Sequence, residues 1–211
     1  MKLLVLGTGD FAEEIADMAG DIPGVSVAGY VENMEPKRSE AKKQGLPVIW
    51  IDDLAEMTGE FSAVCGLGTT HRSRFVEQLA PFGIAFTTLV HPTARVSKTV
   101  TLGEGCIVNA GAIIAAHTTL GSHVMVNRGA TIGHHTRIGD YVTIGPAVNL
   151  SGSCRIGSRV YIGVGASIVD HISVGGGTVI AAGSVVTKDL PDHVLAAGMP
   201  ARIVKKDIEA R

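Results

Sequence analysis

Aromatic side chains are scarce in this chain, 4% of 211 residues, so whatever core it builds is filled by aliphatic and small side chains. Cysteine is nearly absent as well. Cys65, Cys106 and Cys154 stand in apolar positions, with neither metal-ligand spacing nor an even count. That excludes a disulfide framework and points to buried thiols in a reducing cytoplasm. There is no excess of positive charge: the formal net charge is −2 and no basic stripe runs along the sequence, which removes nucleic acid as a partner. Long hydrophobic runs are missing too. Mean hydropathy is +0.30, yet glycine interrupts every apolar stretch before it reaches the length of a membrane span. The opening MKLLVLGTGD is too short in its apolar part for a secretory signal and reads as a first strand. The expectation is a cytoplasmic protein of one or two domains, with no metal.

What the chain has in abundance is glycine, 27 residues, and a strict six-residue period. From Val96 to Val186 an aliphatic residue occupies every sixth position, sixteen hexads in register; Ile114, Leu120, Val126, Ile132, Ile138 and Ile144 are its middle stretch. Neither a 3.6-residue helix nor a two-residue strand alternation generates that period, and a repeating solenoid rung does. Four positions after each aliphatic comes a small or apolar residue, such as Cys106, Ala112, Thr118, Val124 and Ala130. Glycine often follows the aliphatic directly, as at Gly103, Gly121, Gly133 and Gly139, where the freedom to adopt φ > 0 suits a chain turning a corner. Three hexads make one triangular coil with three flat parallel sheets. Residues 18 apart then stack at about 4.8 Å, and a narrow core of this kind has no room for rings.

The first ninety residues have a different pattern. Lys2 to Leu6, Val25 to Val31 and Ser62 to Gly66 read as strands, and Phe11 to Met18 and Thr70 to Pro81 as helices. This alternation predicts a small parallel α/β domain over 1–90 and a solenoid over 91–211, with His91-Pro92 at the boundary. Gly7-Thr8-Gly9-Asp10-Phe11-Ala12 fits G-x-G-x-x-A, and Glu32 closes the second strand. A glycine loop feeding a helix N-terminus suits a phosphate or pyrophosphate. Three readings stay open from spacing alone: NAD, another phosphate-bearing ligand such as a sugar nucleotide, or a turn without a ligand. A second glycine loop, Gly66-Leu67-Gly68-Thr69, also follows a strand and is placed to line the same crevice.

Histidines supply the candidate chemistry. His117, His123, His135 and His171 occupy the fourth position of their hexads, where the plain reading is a polar residue on an exposed rung; the sharper one is a zinc site. His134 alone falls at the third position, with Asn127 seven residues earlier and Gly152 one coil later at the same azimuth. A glycine beneath a histidine leaves open space and an unshielded N–H, an arrangement that suits a base beside a thioester with a donor for the oxyanion.

The glycine loop at Gly7–Ala12, Val90-His91-Pro92-Thr93-Ala94, Asn127 through His134, Ile144-Gly145-Pro146-Ala147, Ile162-Gly163-Val164-Gly165-Ala166 and Gly198-Met199-Pro200-Ala201-Arg202 carry a resemblance over residues 2–206. The chain resembles bacterial sugar acetyltransferases of the sialic acid O-acetyltransferase-like group, which includes N-acetyltransferases of nucleotide-linked 4-amino-4,6-dideoxy sugars. The resemblance implies a left-handed parallel β-helix after a Rossmann-like α/β domain. It implies a homotrimer with acetyl-CoA between neighbouring solenoids and a sugar nucleotide as acceptor. It makes His134 the general base, with Asn127 and His135 in the same site. Gly152, Thr143, Val164 and Ala182 fall to the cofactor, and Gly7, Gly9, Asp10, Phe11, Glu32 and Gly68 to the sugar nucleotide. His135 stands where many relatives carry an acidic residue, Thr143 where they often carry a second histidine, and Asp10-Phe11 where the loop usually has Gly-His. Acetylation of a 4-amino group is the expected reaction; O-acetylation of sialic acid or a related sugar, or a non-catalytic sugar-nucleotide-binding trimer, are the alternatives.

Overall fold

A computed structural model describes residues 1–57, 59–208 and 210. The N-terminal unit is a sheet of β1 (Lys2–Leu6), β2 (Ser26–Glu32), β3 (Lys42–Lys43), β4 (Leu46–Trp50), β5 (Phe61–Cys65) and β6 (Ala85–Phe86). Its order is β3-β4-β2-β1-β5-β6, parallel throughout except for the small β3–β4 hairpin. The strand order reverses between β1 and β5, and open α/β sheets bind ligands at such a switch point. Side chains alternate across β1. Leu3 and Val5 join the cluster containing Ala12, Ile15 and Ala19 of α1 (Asp10–Gly20), while Leu4 and Leu6 join Phe75 and Val76 of α2 (Ser73–Gln78). The helix expected over 70–81 is broken into a 3-10 turn at Thr70–Arg72, α2, and a second 3-10 turn at Ala80–Phe82, because Pro81 cannot donate and Gly83 turns left-handed at φ 64°.

The solenoid is a left-handed parallel β-helix whose two-residue strands form three sheets. The first face runs from Leu89–Val90 through Ile107–Val108, Met125–Val126, Thr143–Ile144 and Tyr161–Ile162 to Val179–Ile180. The second runs from Arg95–Val96 to Val185–Val186, and the third from Thr101–Leu102 to Ser173–Val174. Pairs are 18 residues apart, as with Ile114↔Ile132 and Ile132↔Leu150. The first strand, Leu89–Val90, lies ahead of residue 91 and extends the hexad series backwards by one step. No aromatic residue belongs to the stacked core, which Cys106, Ala112, Val124, Ala130 and the hexad aliphatics fill. Each fully buried Val, Leu or Ile contributes about 1.5–3 kcal/mol.

One expectation about glycine is corrected. The glycines directly after the aliphatic do not carry positive φ; they are needed because successive corners nearly touch. A Cβ on Gly133 would stand 2.4 Å from the Gly152 nitrogen. Positive φ falls two residues later, on Gly111 and Gly129 but equally on His117 (59°), His123 (55°), His135 (57°) and His171 (62°). The fourth-position histidines are therefore left-handed corner residues.

The α/β unit docks on the first face. Leu89, Ile107 and Met125 project outward into the α1-side cluster, leaving Tyr161 and Val179 partly exposed further along. Contacts reach both edges of that face: Glu14 to Arg128 and Asn109, and Asp21 to His91, at one edge; Phe86 against His123 at the other. The vertex between the second and third faces lies opposite.

Candidate active site

That opposite vertex carries His134. Strand Thr131–Ile132 delivers it to the corner, and its ring lies flat over Gly152 of the next coil. A Cβ on Gly152 would be 2.8 Å from Cε1 and 3.0 Å from Nε2 of His134, so the glycine space is filled by the imidazole instead of left open. Among the described residues no acceptor takes the Gly152 N–H, while its carbonyl accepts from the His171 N–H at 3.1 Å. His134 Nδ1 is 3.1 Å from His135 Nδ1, and the His135 ring is 4.9 Å from that of His117. His134, His135, His117 and His171 are all exposed. A ring face held by backbone, a free amide beside it and Nε2 on the outside are the parts of a general base with an adjacent oxyanion donor.

The other expected residues are distributed elsewhere. Asn127, Val164 and Ala182 stand at the vertex between the first and second faces, at the far end of the second-face strands from His134 and Gly152. Asn127 is 5% exposed and its side-chain amide donates to the Ile144 carbonyl at 2.9 Å, a corner-locking role. Val164 is 51% exposed, and Ala182 is exposed one coil beyond. A single chain does not bring the two groups together.

Thr143 is not available to a cofactor. It is buried on the first face, under the α/β unit, where its hydroxyl accepts from Arg72 Nη1 at 2.7 Å and donates to the Gly68 carbonyl at 3.2 Å. Arg72, which sequence reasoning missed, is 1% exposed and uses its remaining donors on the carbonyls of Thr69, His123 and Val142 at 2.7–3.1 Å. Burial pushes its pKa down to about 10, against opposing pulls from Cys65, Cys106 and Tyr141, which still leaves it a cation at neutral pH. His123 is not on an exposed rung. Its ring is sandwiched between Phe86 and Tyr141, 4% of the residue is exposed, and its Nδ1 is buried without a partner. Burial first, and the Arg72 charge second, lower its pKa to about 4, with Asp140 opposing. The faces of His123 and Arg72 could not be read from the sequence, because only the docking of the α/β unit decides which corner it covers.

The two glycine loops do meet at the switch point. Gly7 has φ 101° and a Cβ there would be 2.9 Å from the Leu67 side chain, while a Cβ on Gly68 would touch Phe11 at 3.8 Å. Gly9 caps α1, and its carbonyl accepts from the Ala12 and Glu13 N–H groups. Asp10 is exposed in the first turn. Glu32 departs from its expected role. Only 3% exposed, it accepts from the Thr8 hydroxyl, from the N–H groups of Asn33, Met34 and Glu35, and from Arg38. Burial alone would raise its pKa, but those hydrogen bonds outweigh it and hold the carboxyl below its ordinary value. Its oxygens are committed to shaping the turn after β2 and are not free for a ribose. Beside it lies a cavity of about 230 Å³ lined by Thr8, Arg38, Ala41, Lys42, Lys43 and Val48, a basic wall that the glycine motif did not announce.

Residues 117–152 match the family model for the bacterial transferase hexapeptide (six repeats). A perosamine N-acetyltransferase from Caulobacter crescentus, crystallised with CoA and GDP-perosamine, is 31% identical over 97% of both chains, with a TM-score of 0.90. The chain belongs to the hexapeptide-repeat sugar acetyltransferases. The acetyltransferase domain of PglB from Neisseria gonorrhoeae, in complex with acetyl coenzyme A, is also 31% identical, over 96% of this chain and 98% of that one, with a TM-score of 0.87. WeeI from Acinetobacter baumannii, at 24% identity and TM-score 0.88, shares the fold. No curated protein matches the sequence. This acetyltransferase has no helix long and apolar enough to cross a membrane, and no group of three or more His, Cys, Asp or Glu gathers for a metal, among the described residues.

Proposed function

We propose that this acetyltransferase moves the acetyl group of acetyl-CoA onto the amine of a nucleotide-linked 4-amino-4,6-dideoxy sugar, with His134 as general base. The observation that carries the reading is the His134 ring seated on Gly152 beside a free amide, in a chain that aligns over 97% of its length with an enzyme crystallised with CoA and GDP-perosamine. The sugar nitrogen attacks the thioester carbon and gives its proton to Nε2 of His134. The Gly152 N–H donates to the carbonyl oxygen as negative charge develops there. The C–S bond then breaks, and the departing thiolate takes the proton back from His134.

Direct transfer is favoured over an acyl-enzyme because the three thiols are buried and unpaired, and burial pushes Cys65 and Cys106 up to about 11. The sugar nucleotide is assigned to the crevice of the two glycine loops, at Gly7, Gly9, Asp10, Phe11 and Gly68, with the Arg38, Lys42 and Lys43 cavity for its anionic part. That crevice lies with the α/β unit, while His134 sits on the vertex turned away from it. Base and acceptor therefore come from different copies, which favours a homotrimer. Asn127, Val164 and Ala182 of one copy would face His134 and Gly152 of the next, with acetyl-CoA between them in the cytoplasm; exposed Ile113, Val164 and Val169 supply apolar surface for the contact.

The test is thiol release from acetyl-CoA with wild-type and His134→Ala protein, against nucleotide-linked 4-amino sugars and sialic acid. Release with a 4-amino sugar, reduced by about 10²–10⁴ in kcat in the variant, is the expected outcome. A variant with wild-type turnover removes His134 from the mechanism, and release with sialic acid alone moves the reaction to O-acetylation.

A further inference from the structure

The role of His134 as base rests on the reading above; how it is kept in the correct protonation form does not follow from the relatives, because this chain lacks an acidic residue at 135. The two Nδ1 atoms of His134 and His135 are 3.1 Å apart. At that separation they cannot both carry a proton, nor both present a lone pair, without repulsion. One proton must lie between them. We propose that His135 is a positioning residue that sets the tautomer of His134 through this shared Nδ1–H, so that the two imidazoles act as one base.

Proton counting gives the consequence. The neutral pair holds two ring protons, one in the bridge and one on a single Nε2. When the bridging proton belongs to His134, its Nε2 is bare and accepts the proton of the sugar amine, while His135 carries Nε2–H. When the bridging proton belongs to His135, His134 carries Nε2–H and has nothing to accept with. Adding one proton to the pair fills both Nε2 positions, so a single proton silences both rings whichever of them holds the charge. During transfer the amine proton arrives at His134 Nε2 and the bridge becomes a charge-assisted hydrogen bond to a neutral His135. The proton then leaves for the thiolate and the pair returns to its starting form.

The surroundings suit a neutral acceptor at 135. His135 faces His117 on the preceding coil, and it opens on a cavity of about 410 Å³ lined with Arg137, Ser153, Arg155, His171 and Ser173. No carboxylate lines that cavity, and Asp170 beside it is paired with His171 at 3.6 Å. On its other side His134 meets only the Gly152 backbone. No anion is present to do what a carboxylate would do in this position.

The experiment uses full-length protein labelled with ¹⁵N-histidine, assigned through single His134 and His135 variants. In the wild type His134 is expected with Nδ1 protonated and Nε2 bare. His135→Gly, which suits the left-handed corner that Gly111 and Gly129 already occupy, removes the bridge. Its His134 should move to the Nε2–H form that free imidazole prefers, and kcat should fall about two- to tenfold with KM for acetyl-CoA unchanged. His135→Glu, an acceptor only, should restore kcat and move the acidic limb of kcat/KM to higher pH. Wild-type His134 in the Nε2–H form, or an unaltered kcat in His135→Gly, overturns the proposal. The tautomer is read without turnover, so a chain with an intact bridge that acetylates no sugar defeats the functional reading and leaves this one standing.

Discussion

Replacing Arg72 with methionine should loosen the α/β unit from the solenoid, and the size of the effect can be worked from its contacts. The guanidinium bonds the carbonyls of Thr69, His123 and Val142 and the hydroxyl of Thr143. Val142 keeps a second donor, the Met125 N–H at 2.9 Å, and Thr69 keeps the Arg72 backbone N–H. The His123 carbonyl has no other donor among the described residues, so the variant orphans one buried acceptor outright, costing about 1–3 kcal/mol. The three further bonds to a charged donor are each worth roughly 1.5–3 kcal/mol. Against them stands the penalty of burying the cation, several kcal/mol, which methionine avoids. A net loss of about 2–4 kcal/mol follows, and for a chain of this length that lowers Tm by roughly 5–15 °C. Thermal unfolding gives the magnitude. Hydrogen exchange gives the location, with faster exchange at Leu89, Ile107 and Met125 than at Ile156 or Ile168. Arg72→Lys keeps the charge but not the fan of donors and should fall between the two. A methionine variant that melts with the wild type would mean that desolvation cancels the clamp, and Arg72 would then hold no net interdomain energy.

Two further outcomes bear on the site and its support. Gly152→Ala places a methyl 2.8 Å from the His134 ring, which must tilt away; kcat should drop by at least about tenfold while Tm stays near wild type, since the contact is at the exposed vertex. Steady-state kinetics beside a melting curve separates that result from simple unfolding, and an unimpaired kcat would show that the ring is not held where turnover needs it. His123 governs a pH effect. Its folded pKa of about 4 lies below the unfolded value near 6.5, so the unfolded chain binds more protons between those limits and stability falls as pH drops from 6.5 to 4. At about 1.4 kcal/mol per unit, up to roughly 3 kcal/mol is lost across that window. Urea unfolding at pH 7 and pH 5 should show a smaller difference in His123→Phe, whatever that substitution costs at neutral pH; equal slopes would remove His123 as the titrating group.

The solenoid was legible because a six-residue period admits one register: once Ile132 points inward, Ile114 and Leu150 must stack on it, and the corner residues fall into columns. His134 over Gly152 was legible for the same reason. The α/β strands β1, β2 and β5 announce themselves through unbroken apolar runs. β4 does not, because Pro47 lies inside it and is tolerated only where the strand pairs with the short β3 at the sheet's outer edge. Thr143, His123 and Arg72 escaped for a different reason. Every outward position of the three faces looks alike in sequence, and only the packing of Leu89, Ile107 and Met125 under the α1 layer shows which face is covered. Glu32 fitted the spacing of a ribose-binding acid, but five donors within its own neighbourhood occupy its oxygens, and local backbone amides are invisible to a motif.

The division of the site between vertices follows from that docking. A triangular rod has three edges, and an α/β unit seated on one face touches two of them: Glu14 and Asp21 reach one, Phe86 the other. The third edge is the one part of each coil that its own domain cannot approach, and it carries the paired imidazoles and the free Gly152 amide. Any acceptor held in the glycine-loop crevice is thus separated from the base of its own chain by the width of the solenoid. Catalysis on this scaffold requires the bare edge of one chain to be brought against the covered edge of another. The same requirement explains why His134 can be exposed and still function as a base in a dry site: the water is excluded by a second copy and not by its own fold.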